Sequence, residues 1–223
     1  MNLRNLYAPV RVAGSAIVGE YCVLGYPKES RLKAWQTNPS QAAAGKAVTI
    51  GERCLVFNQV VLFEGVQLAA DCVVEDRVRI GYDSTVGPRS RLVYGAYVCD
   101  RVTIGCEARV AGFVCDGTSI GDRSTVMGDL VHEYTSPHRG WWVVDEAPPM
   151  IGADTVVGYG ARVIGGVRVG PRSYVAAGAI VTRDVPPEHV VTGVNIQTPA
   201  ARWTGRRLQD LIGNWVAIRP RPG

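Results

Sequence analysis

Histidines and tryptophans that could take part in chemistry concentrate in one stretch of the sequence. The segment VHEYTSPHRGWW holds two of the chain's three histidines and two adjacent tryptophans. A histidine near its ordinary pKa can act as a general base on an amine or a hydroxyl, so His132 and His138 are candidate bases. Glu133 could orient a neighbouring group and is a candidate substrate-binding residue. Trp141 and Trp142 are candidate apolar platforms for a substrate or cofactor ring.

The elements that must position these residues are indicated by aliphatic side chains at every sixth position. The longest run is Ile50, Val56, Leu62, Leu68, Val74, Ile80, Val86, Leu92, Val98, Ile104 and Val110, and shorter runs begin at Val12, Val114 and Ile151. A period of six fits neither an α-helix nor the simple alternation of one sheet. It fits a chain that runs straight, turns a corner and repeats. Three corners close a coil of about 18 residues, which predicts seven to eight stacked coils with interior aliphatic ladders.

Small residues at fixed offsets from the aliphatic positions support tight corners. Glycine follows the aliphatic at Gly51, Gly81 and other corners, where the backbone needs a positive φ or a close approach. Small side chains two places before the aliphatic suit the inside of a narrow prism. Cys54 and Cys72 occupy such places one coil apart. Because no CxxC pair occurs, we interpret the cysteines as small buried thiols, not as disulfides or metal ligands.

The composition is that of an ordinary globular chain. Apolar residues make up 47% and charged residues 20%, and the formal net charge is +4. The sequence has neither a signal-peptide apolar core nor an apolar run long enough to span a bilayer, so we expect no membrane contact and a cytoplasmic location. Basic residues are not interleaved with aromatic ones, which argues against a nucleic-acid partner.

The late coils carry a family resemblance. The segments IGADTVVGYGARVIGGVRVG and YVAAGAIVTRDVPPEHVV resemble the hexapeptide-repeat acyltransferases, which include galactoside and maltose acetyltransferases and amino-sugar N-acyltransferases. The resemblance covers roughly residues 10–195, and GAIVTRDVPP is its most specific part. It implies an all-β fold, a left-handed parallel β-helix of seven to eight coils with two extruded loops and a short C-terminal helix. Left-handed coils are an exception to the usual rule for parallel connections.

The resemblance also implies a division of the chain. Residues 1–200 are expected to form the β-helix, with loops at 26–47 and 127–150. Residues 201–223 are expected to form the helix, in GRRLQDLIGNWVAI, and a basic tail.

Positions that contact coenzyme A in the family map onto four residues of this chain. Tyr159 replaces a small residue that lines the pantetheine channel, a departure whose bulk could narrow or redirect that channel. Ala177 matches an alanine whose backbone contacts the same arm. Thr182 and Arg183 match a Thr-Lys pair near the nucleotide end, where arginine keeps a cation for the phosphates. The sequence departs from the family after VPPEHVV, which weakens the mapping at the tail.

The resemblance implies transfer of an acetyl group from acetyl-CoA to an amine or hydroxyl of a small acceptor, with an amino sugar or nucleotide-linked sugar as the leading class. It further implies a homotrimer and no metal. The family's catalytic histidine lies in or beside an extruded loop. His132 falls six residues after Val126, on an expected ladder position at the loop's root. His138 lies deeper, near the place where galactoside acetyltransferases carry theirs.

Two other functions stay open at this point. A zinc site like that of the β-helical carbonic anhydrases needs three converging histidines. The third histidine, His189, lies in VPPEHVV, which we read as the turn leaving the last coil, and His132 and His138 lack that family's HxxxxH spacing. A noncatalytic scaffold would need no site at all. The cations of loop 26–47 fit either a solvated excursion or a flap over an anionic ligand.

Overall fold

The computed structural model describes residues 7–38, 44–134 and 146–205, which form three sheets. Sheet A contains β1 (Val10–Val12), β4 (Val48–Ile50), β7 (Gln67–Leu68), β10 (Thr85–Val86), β13 (Thr103–Ile104), β16 (Ser119–Ile120), β19 (Met150–Ile151) and β22 (Arg168–Val169). Sheet B contains β2 (Ile17–Val18), β5 (Leu55–Val56), β8 (Val73–Val74), β11 (Arg91–Leu92), β14 (Arg109–Val110), β17 (Thr125–Val126), β20 (Val156–Val157), β23 (Tyr174–Val175), β25 (His189–Thr192) and β26 (Ile196–Pro199). Sheet C contains β3 (Val23–Tyr26), β6 (Val61–Phe63), β9 (Arg79–Ile80), β12 (Tyr97–Val98), β15 (Phe113–Val114), β18 (Asp129–Val131), β21 (Arg162–Ile164) and β24 (Ile180–Val181).

The chain visits sheets A, B and C in turn and then begins the next coil, so the three sheets enclose a triangular prism. In the described part of the chain, eight such coils stack, and each strand pairs in parallel with the strand one coil away. The predicted left-handed parallel β-helix is therefore confirmed, at the upper end of the expected number of coils. We call the corners between the sheets the A–B, B–C and C–A edges.

The predicted aliphatic ladders form the core. Their members are almost completely buried from the second coil onward, and each lies directly over its counterpart, as Val56 does over Val74. The first coil is less covered, and Val12 of β1 is 45% exposed. Burying aliphatic side chains gives about 1.5–3 kcal/mol each, which makes these ladders the main stabilising element.

A second interior column satisfies the corner carbonyls. At the start of most sheet B strands, a small side chain donates a hydrogen bond to a carbonyl of the next coil. The thiols of Cys54 and Cys72 lie 2.9 Å from Ala69 O and 3.2 Å from Gly87 O. The hydroxyl of Ser90 lies 2.7 Å from Gly105 O. Both thiols are buried, as predicted, and they stand in for hydroxyls in this column.

Most of the corner residues whose φ is positive are not glycine. Along the A–B edge, φ lies between 53° and 62° at Arg53, Asp71, Arg89, Glu107, Arg123, Asp154, Arg172 and Glu188. These eight residues, the charged column, alternate in sign and pair in twos across neighbouring coils. Gly51 and Gly87 are required by close approach, because a Cβ on Gly87 would lie 2.6 Å from the carbonyl carbon of Gly105. The sequence offered a positive φ or a close approach as the reason for glycine at the corners. At Gly51 and Gly87 the reason is close approach.

Two coils are shorter than the predicted 18 residues. Val98 pairs with Val114, and Val114 with Leu130, so these steps take 16 residues. The missing residues come from the B–C edge, where the chain turns through Gly112 and Gly128. A Cβ on Gly112 would lie 1.8 Å from the carbonyl oxygen of Gly128, so only glycine fits this shortened corner.

Both extruded loops leave sheet C and return on sheet A, so they lie on the same C–A edge. The first runs from the end of β3 to β4 and contains α1 (Glu29–Thr37), a helix that the sequence did not predict. The second runs from the end of β18 to β19. Its predicted start at residue 127 is wrong, because β18 continues the prism through Val131. The two exits are five strands apart in sheet C, roughly 24 Å along the prism.

The C-terminal end of the prism is closed by a hairpin. β25 pairs in parallel with β23, and β26 folds back antiparallel on β25. A 3-10 turn, Ala200–Arg202, follows. His189 therefore opens a strand, and its assignment to a turn was wrong. The predicted helix in GRRLQDLIGNWVAI lies almost entirely outside the described residues.

Candidate active site

His132 lies at the root of the second loop on the C–A edge, but not in the ladder. The ladder position belongs to Leu130, which is completely buried, and His132 is two residues beyond it. The prediction that His132 occupies a ladder position was wrong because the corner after Val126 is shortened by two residues. The imidazole consequently stands at the rim of the prism, half-buried, instead of inside it.

The imidazole of His132 has an unsatisfied nitrogen. Its Nδ1 is buried and has no hydrogen-bond partner within residues 7–38, 44–134 and 146–205. Asp116 occupies the equivalent place one coil earlier, since Val114 pairs with Leu130 and each residue follows its ladder member by two. Neighbouring strands are about 4.8 Å apart, so the backbones of Asp116 and His132 are separated by about one strand spacing along the edge.

The equivalent places on the two coils before Asp116, in the direction of the first loop, hold Asp100 and Tyr82. Asp116 accepts the backbone N–H of Asp100 at 2.8 Å, and Asp100 accepts that of Tyr82 at 3.1 Å. Burial, followed by the negative charge of Asp116, raises the pKa of the Asp100 carboxyl. Neither Asp100 nor Asp116 was predicted as a site residue from the sequence. Their signal was the 16-residue spacing Asp100–Asp116–His132, which a search at a fixed period of six passes over.

A pair of glycines makes room for the two ends of the second loop. A Cβ on Gly165 would lie 3.3 Å from the side chain of Glu133, and one on Gly166 would lie 2.7 Å from Ala147. The backbone N–H of Tyr134 donates to Glu146 Oε2 at 2.6 Å and joins the outgoing chain to the returning one. Glu133, predicted to contact the substrate, is exposed at this root and rests on the next coil.

The first loop is fastened to the same edge by ion pairs. Asp83 receives Lys28 from the outgoing chain and Lys46, at 2.9 Å, from the returning chain. Burial opposes ionisation of Asp83, but the hydrogen bonds from both lysines outweigh it and lower the pKa of its carboxyl. The Lys28 ammonium also lies 4.3 Å from the centre of the Tyr82 ring. The root of this loop is thus fixed on the prism.

The structure divides the four predicted coenzyme A positions between two edges. Tyr159 and Ala177 lie on adjacent coils of the B–C edge, where both are exposed. Thr182 and Arg183 lie on the C–A edge. The Thr182 N–H and hydroxyl are both bound by the side chain of Asn195 at 2.8 Å.

Arg183 is exposed and occupies the same corner place as His132, two coils further on. The C–A edge therefore carries the candidate base and a cation in one column, roughly 10 Å apart along the prism. Three other predicted site residues, His138, Trp141 and Trp142, lie outside the described residues.

Metal and thiol chemistry receive no support from the described residues. Within them, no group of three or more His, Cys, Asp or Glu side chains is placed to hold a metal ion. Burial raises the pKa of the Cys99 thiol to about 12 and that of Cys115 to about 11, so both stay protonated near neutral pH. Among the described residues, no helix has the length and apolarity that are needed to span a bilayer.

Three sheets of stacked hexads form the left-handed β-helix fold, and the chain is similar to proteins built from hexapeptide repeats. Residues 148–183 match the family model described as the hexapeptide repeat of succinyl-transferase. This match confirms the resemblance inferred from the sequence.

Known proteins similar to this chain include two bacterial relatives. The bifunctional protein GlmU of Azoarcus sp. (strain BH72) is 24% identical over 73% of this chain and 41% of that protein. That of Geotalea uraniireducens (strain Rf4) is 29% identical over 69% of this chain and 36% of that protein. The chain thus spans about two-fifths of the length of these relatives.

A solved structure is also similar. The UDP-N-acetylglucosamine acyltransferase of Francisella novicida has 18% identity and a TM-score of 0.47, with 87% of this chain and 68% of that chain covered.

Proposed function

We propose that this protein is an acyltransferase that moves an acyl group, most simply acetyl from acetyl-CoA, to an amine or hydroxyl of a small acceptor. The observation that carries the proposal is the C–A edge itself. A half-buried histidine stands there at the root of an extruded loop, with an exposed arginine two coils away in the same column. A base and a phosphate-binding cation at opposite ends of one edge suit a long thioester lying along it.

In this mechanism His132 takes the proton of the acceptor as its nitrogen or oxygen attacks the thioester carbonyl. The carbon–sulfur bond then breaks, and the thiolate of coenzyme A receives the proton back from the imidazolium. Asp116, one coil below, stabilises the positive charge that His132 carries between these two transfers. Backbone N–H groups at the corner stabilise the oxyanion, a contribution of about 3–4 kcal/mol per donor in other enzymes.

The remaining parts of the proposal follow from the family resemblance. The acceptor is an amino sugar or a nucleotide-linked sugar, the reaction takes place in the cytoplasm, and no metal takes part. Three copies of the chain assemble around a threefold axis, which creates three equivalent sites. Three chains of 24.0 kDa give an expected particle of about 72 kDa.

The test is direct detection of an acylated product. The purified protein is incubated with acetyl-CoA and a panel of free and nucleotide-linked amino sugars, and free thiol release and product mass are both measured. We expect one acceptor of the panel to gain an acetyl group with equal release of thiol. Failure of the protein to bind coenzyme A in calorimetry, together with no product, would refute the proposal.

A further inference from the structure

The helix of the first loop is held on the prism by charge and not by apolar packing. None of the residues of α1 is buried. Its Arg31 instead forms an ion pair with Glu64, and the two side chains are only 14% and 2% exposed. Glu64 is thus a fully buried carboxylate, a group that proteins rarely bury without a partner. The docking of α1 therefore depends on this pair.

Gly45, on the returning chain of the same loop, makes room for the Arg31 guanidinium. A Cβ on Gly45 would collide with Arg31 Nη1, and it would lie 2.5 Å from Glu64 Oε2 and 2.8 Å from the Cβ of Ala8. The guanidinium therefore passes between the returning chain, the residues that lead into β1, and the buried carboxylate. Any side chain at position 45 would occupy its place, so the returning chain closes around Arg31.

α1 is too short to be stable without this contact. It has nine residues, and its N-cap, Lys28, provides no side-chain hydrogen bond to the first turn. Isolated helices shorter than about 12–15 residues are marginal in water. The pair of Lys33 and Glu29 within α1 adds little, because these side chains are 72% and 69% exposed. We therefore expect α1 to be helical when it is docked and to lose its helix when it is released.

Both ends of the loop close on one carboxylate of the next coil. Lys28 and Lys46 pair with Asp83, which follows β9 in the third coil, whereas Glu64 follows β6 in the second. The loop therefore crosses two coils of the C–A edge. Lys46 is 70% exposed, so salt screens its contact more than it screens the buried pair. The loop thus has one buried attachment, at Glu64, and two more exposed ones at Asp83.

We propose that residues 27–38 and 44–47 form a strap that opens and closes as one unit while the prism stays folded, with Arg31 and Glu64 as its latch. When the latch is made, α1 is ordered and the Lys28 ammonium lies against the Tyr82 ring. When the latch is broken, α1 unfolds, and Tyr82 and Asp83 become accessible on the C–A edge. The buried pair favours a two-state change, because a half-made contact would leave a charge buried without its partner.

Opening of the strap lengthens the part of the C–A edge that a ligand can reach from His132. Tyr82, under the strap, and His132 occupy equivalent places three coils apart, roughly 14 Å along the edge. A monosaccharide fits within this length, whereas a nucleotide-linked sugar that lies along the edge reaches the strap. The strap thus favours short acceptors when it is closed and admits long ones when it is open. This step rests on the proposed function, whereas the latch does not.

The latch is tested by amide hydrogen exchange, with no need for activity. Glu64→Gln removes the charge of the latch with little change of shape, and Lys33→Gln removes a charge from the exposed pair of the same helix. We expect exchange in α1 to rise about 10²–10³-fold in Glu64→Gln and to stay within about twofold of wild type in Lys33→Gln. Exchange in the strands of the central coils should be unchanged in both.

Arg31→Gln is a second latch variant, which acts from the side of the loop. Unchanged exchange of α1 in both latch variants overturns the proposal. An equal rise in α1 and in the strands of the central coils overturns it as well, because the pair would then support the whole prism and not a separate strap.

The effect on the acceptor is tested with two acceptors of different length, a free amino sugar and the same sugar linked to a nucleoside diphosphate. We expect the ratio of kcat/KM for the long acceptor to that for the short one to rise about fivefold or more in Glu64→Gln and to stay unchanged in Lys33→Gln. An unchanged ratio together with faster exchange of α1 overturns the effect on the acceptor. Absence of turnover in the wild type refutes the proposed function, whereas the latch is judged by exchange alone.

Discussion

At the scale of single residues, His132 has the most direct consequences. Its Nδ1 is buried without a partner in the described chain, and Asp116 stands one coil below. When His132 takes a proton, the negative charge of Asp116 on the neighbouring coil favours the resulting imidazolium. The position at the corner, outside the ladder, places the half-buried ring at the rim of the prism.

We expect His132→Asn to lower kcat by about 10²–10⁴, the usual cost of losing a general base. The affinity for coenzyme A and the particle mass should stay unchanged, because the side chain leaves the ladders intact. His189→Asn is the control, since this histidine lies on the terminal hairpin with its Nδ1 2.8 Å from Pro187 O. A large loss in His138→Asn with a nearly neutral His132→Asn would move the base deeper into the loop.

Arg183 is predicted to hold a phosphate of coenzyme A. A hydrogen bond to a charged group contributes about 1.5–3 kcal/mol, so Arg183→Ala should weaken binding roughly tenfold to a hundredfold. Arg168→Ala removes an equally exposed arginine from sheet A of the same coil and should leave the affinity unchanged. Calorimetry on both variants distinguishes a specific contact from a general loss of positive charge. Equal affinities in both would place the phosphates elsewhere.

The sequence alone could predict the ladders but not the place of the histidine within them. Ladder residues such as Val56 and Val74 are of the same type because they fill equivalent spaces in consecutive coils. His132 is displaced because close contacts between glycines of neighbouring coils shorten the corner before it. A fixed period of six assumes that every corner has the same number of residues, so it misplaces His132. The pairing of Asp116 with His132 was missed for the same reason.

At the scale of elements, the shortened B–C corners are the least tolerant part of the prism. We expect Gly112→Ala to destabilise the fold by about 1–3 kcal/mol, because its Cβ would meet the backbone of Gly128. For a chain of this size, that loss lowers Tm by about 2–4 °C per kcal/mol. Gly14→Ala is the control, with no atom within 4 Å of the added Cβ. Equal melting temperatures in the two variants would show that the corner can relax.

The root of the first loop should depend on pH through Asp83. Since the folded state lowers the pKa of this carboxyl, its contribution is present above the unfolded pKa, near 4, and is lost as the pH falls through the folded value. Asp83→Asn should therefore lower Tm at neutral pH, and its difference from wild type should shrink as the solution is acidified. Asp71→Asn, in an exposed pair, should change Tm little. A difference that stays constant in acid would contradict this account.

At the scale of the whole molecule, the sides of the prism differ. The charged column runs along the A–B edge and gives the prism a solvated side. The outer face of sheet C instead carries the stacked rings of Tyr97 and Phe113. Neither was predicted from the sequence, because the aliphatic period describes the inward-facing positions, whereas these residues lie on the outside of the prism.

The hairpin of β25 and β26 covers the last coil, whereas the first coil leaves Val12 and the outer edges of β1, β2 and β3 without a neighbouring strand in the described chain. In a solenoid each coil contacts only its neighbouring coils, so local unfolding starts at the end whose terminal coil is least stable and spreads from there. Amide hydrogen exchange should therefore be fastest in the first coil and slow progressively towards the eighth, a gradient that uniform protection along the chain would disprove. The candidate active site, in the sixth to eighth coils, would then lie at the end that opens last, and heat or force would unfold the opposite end first.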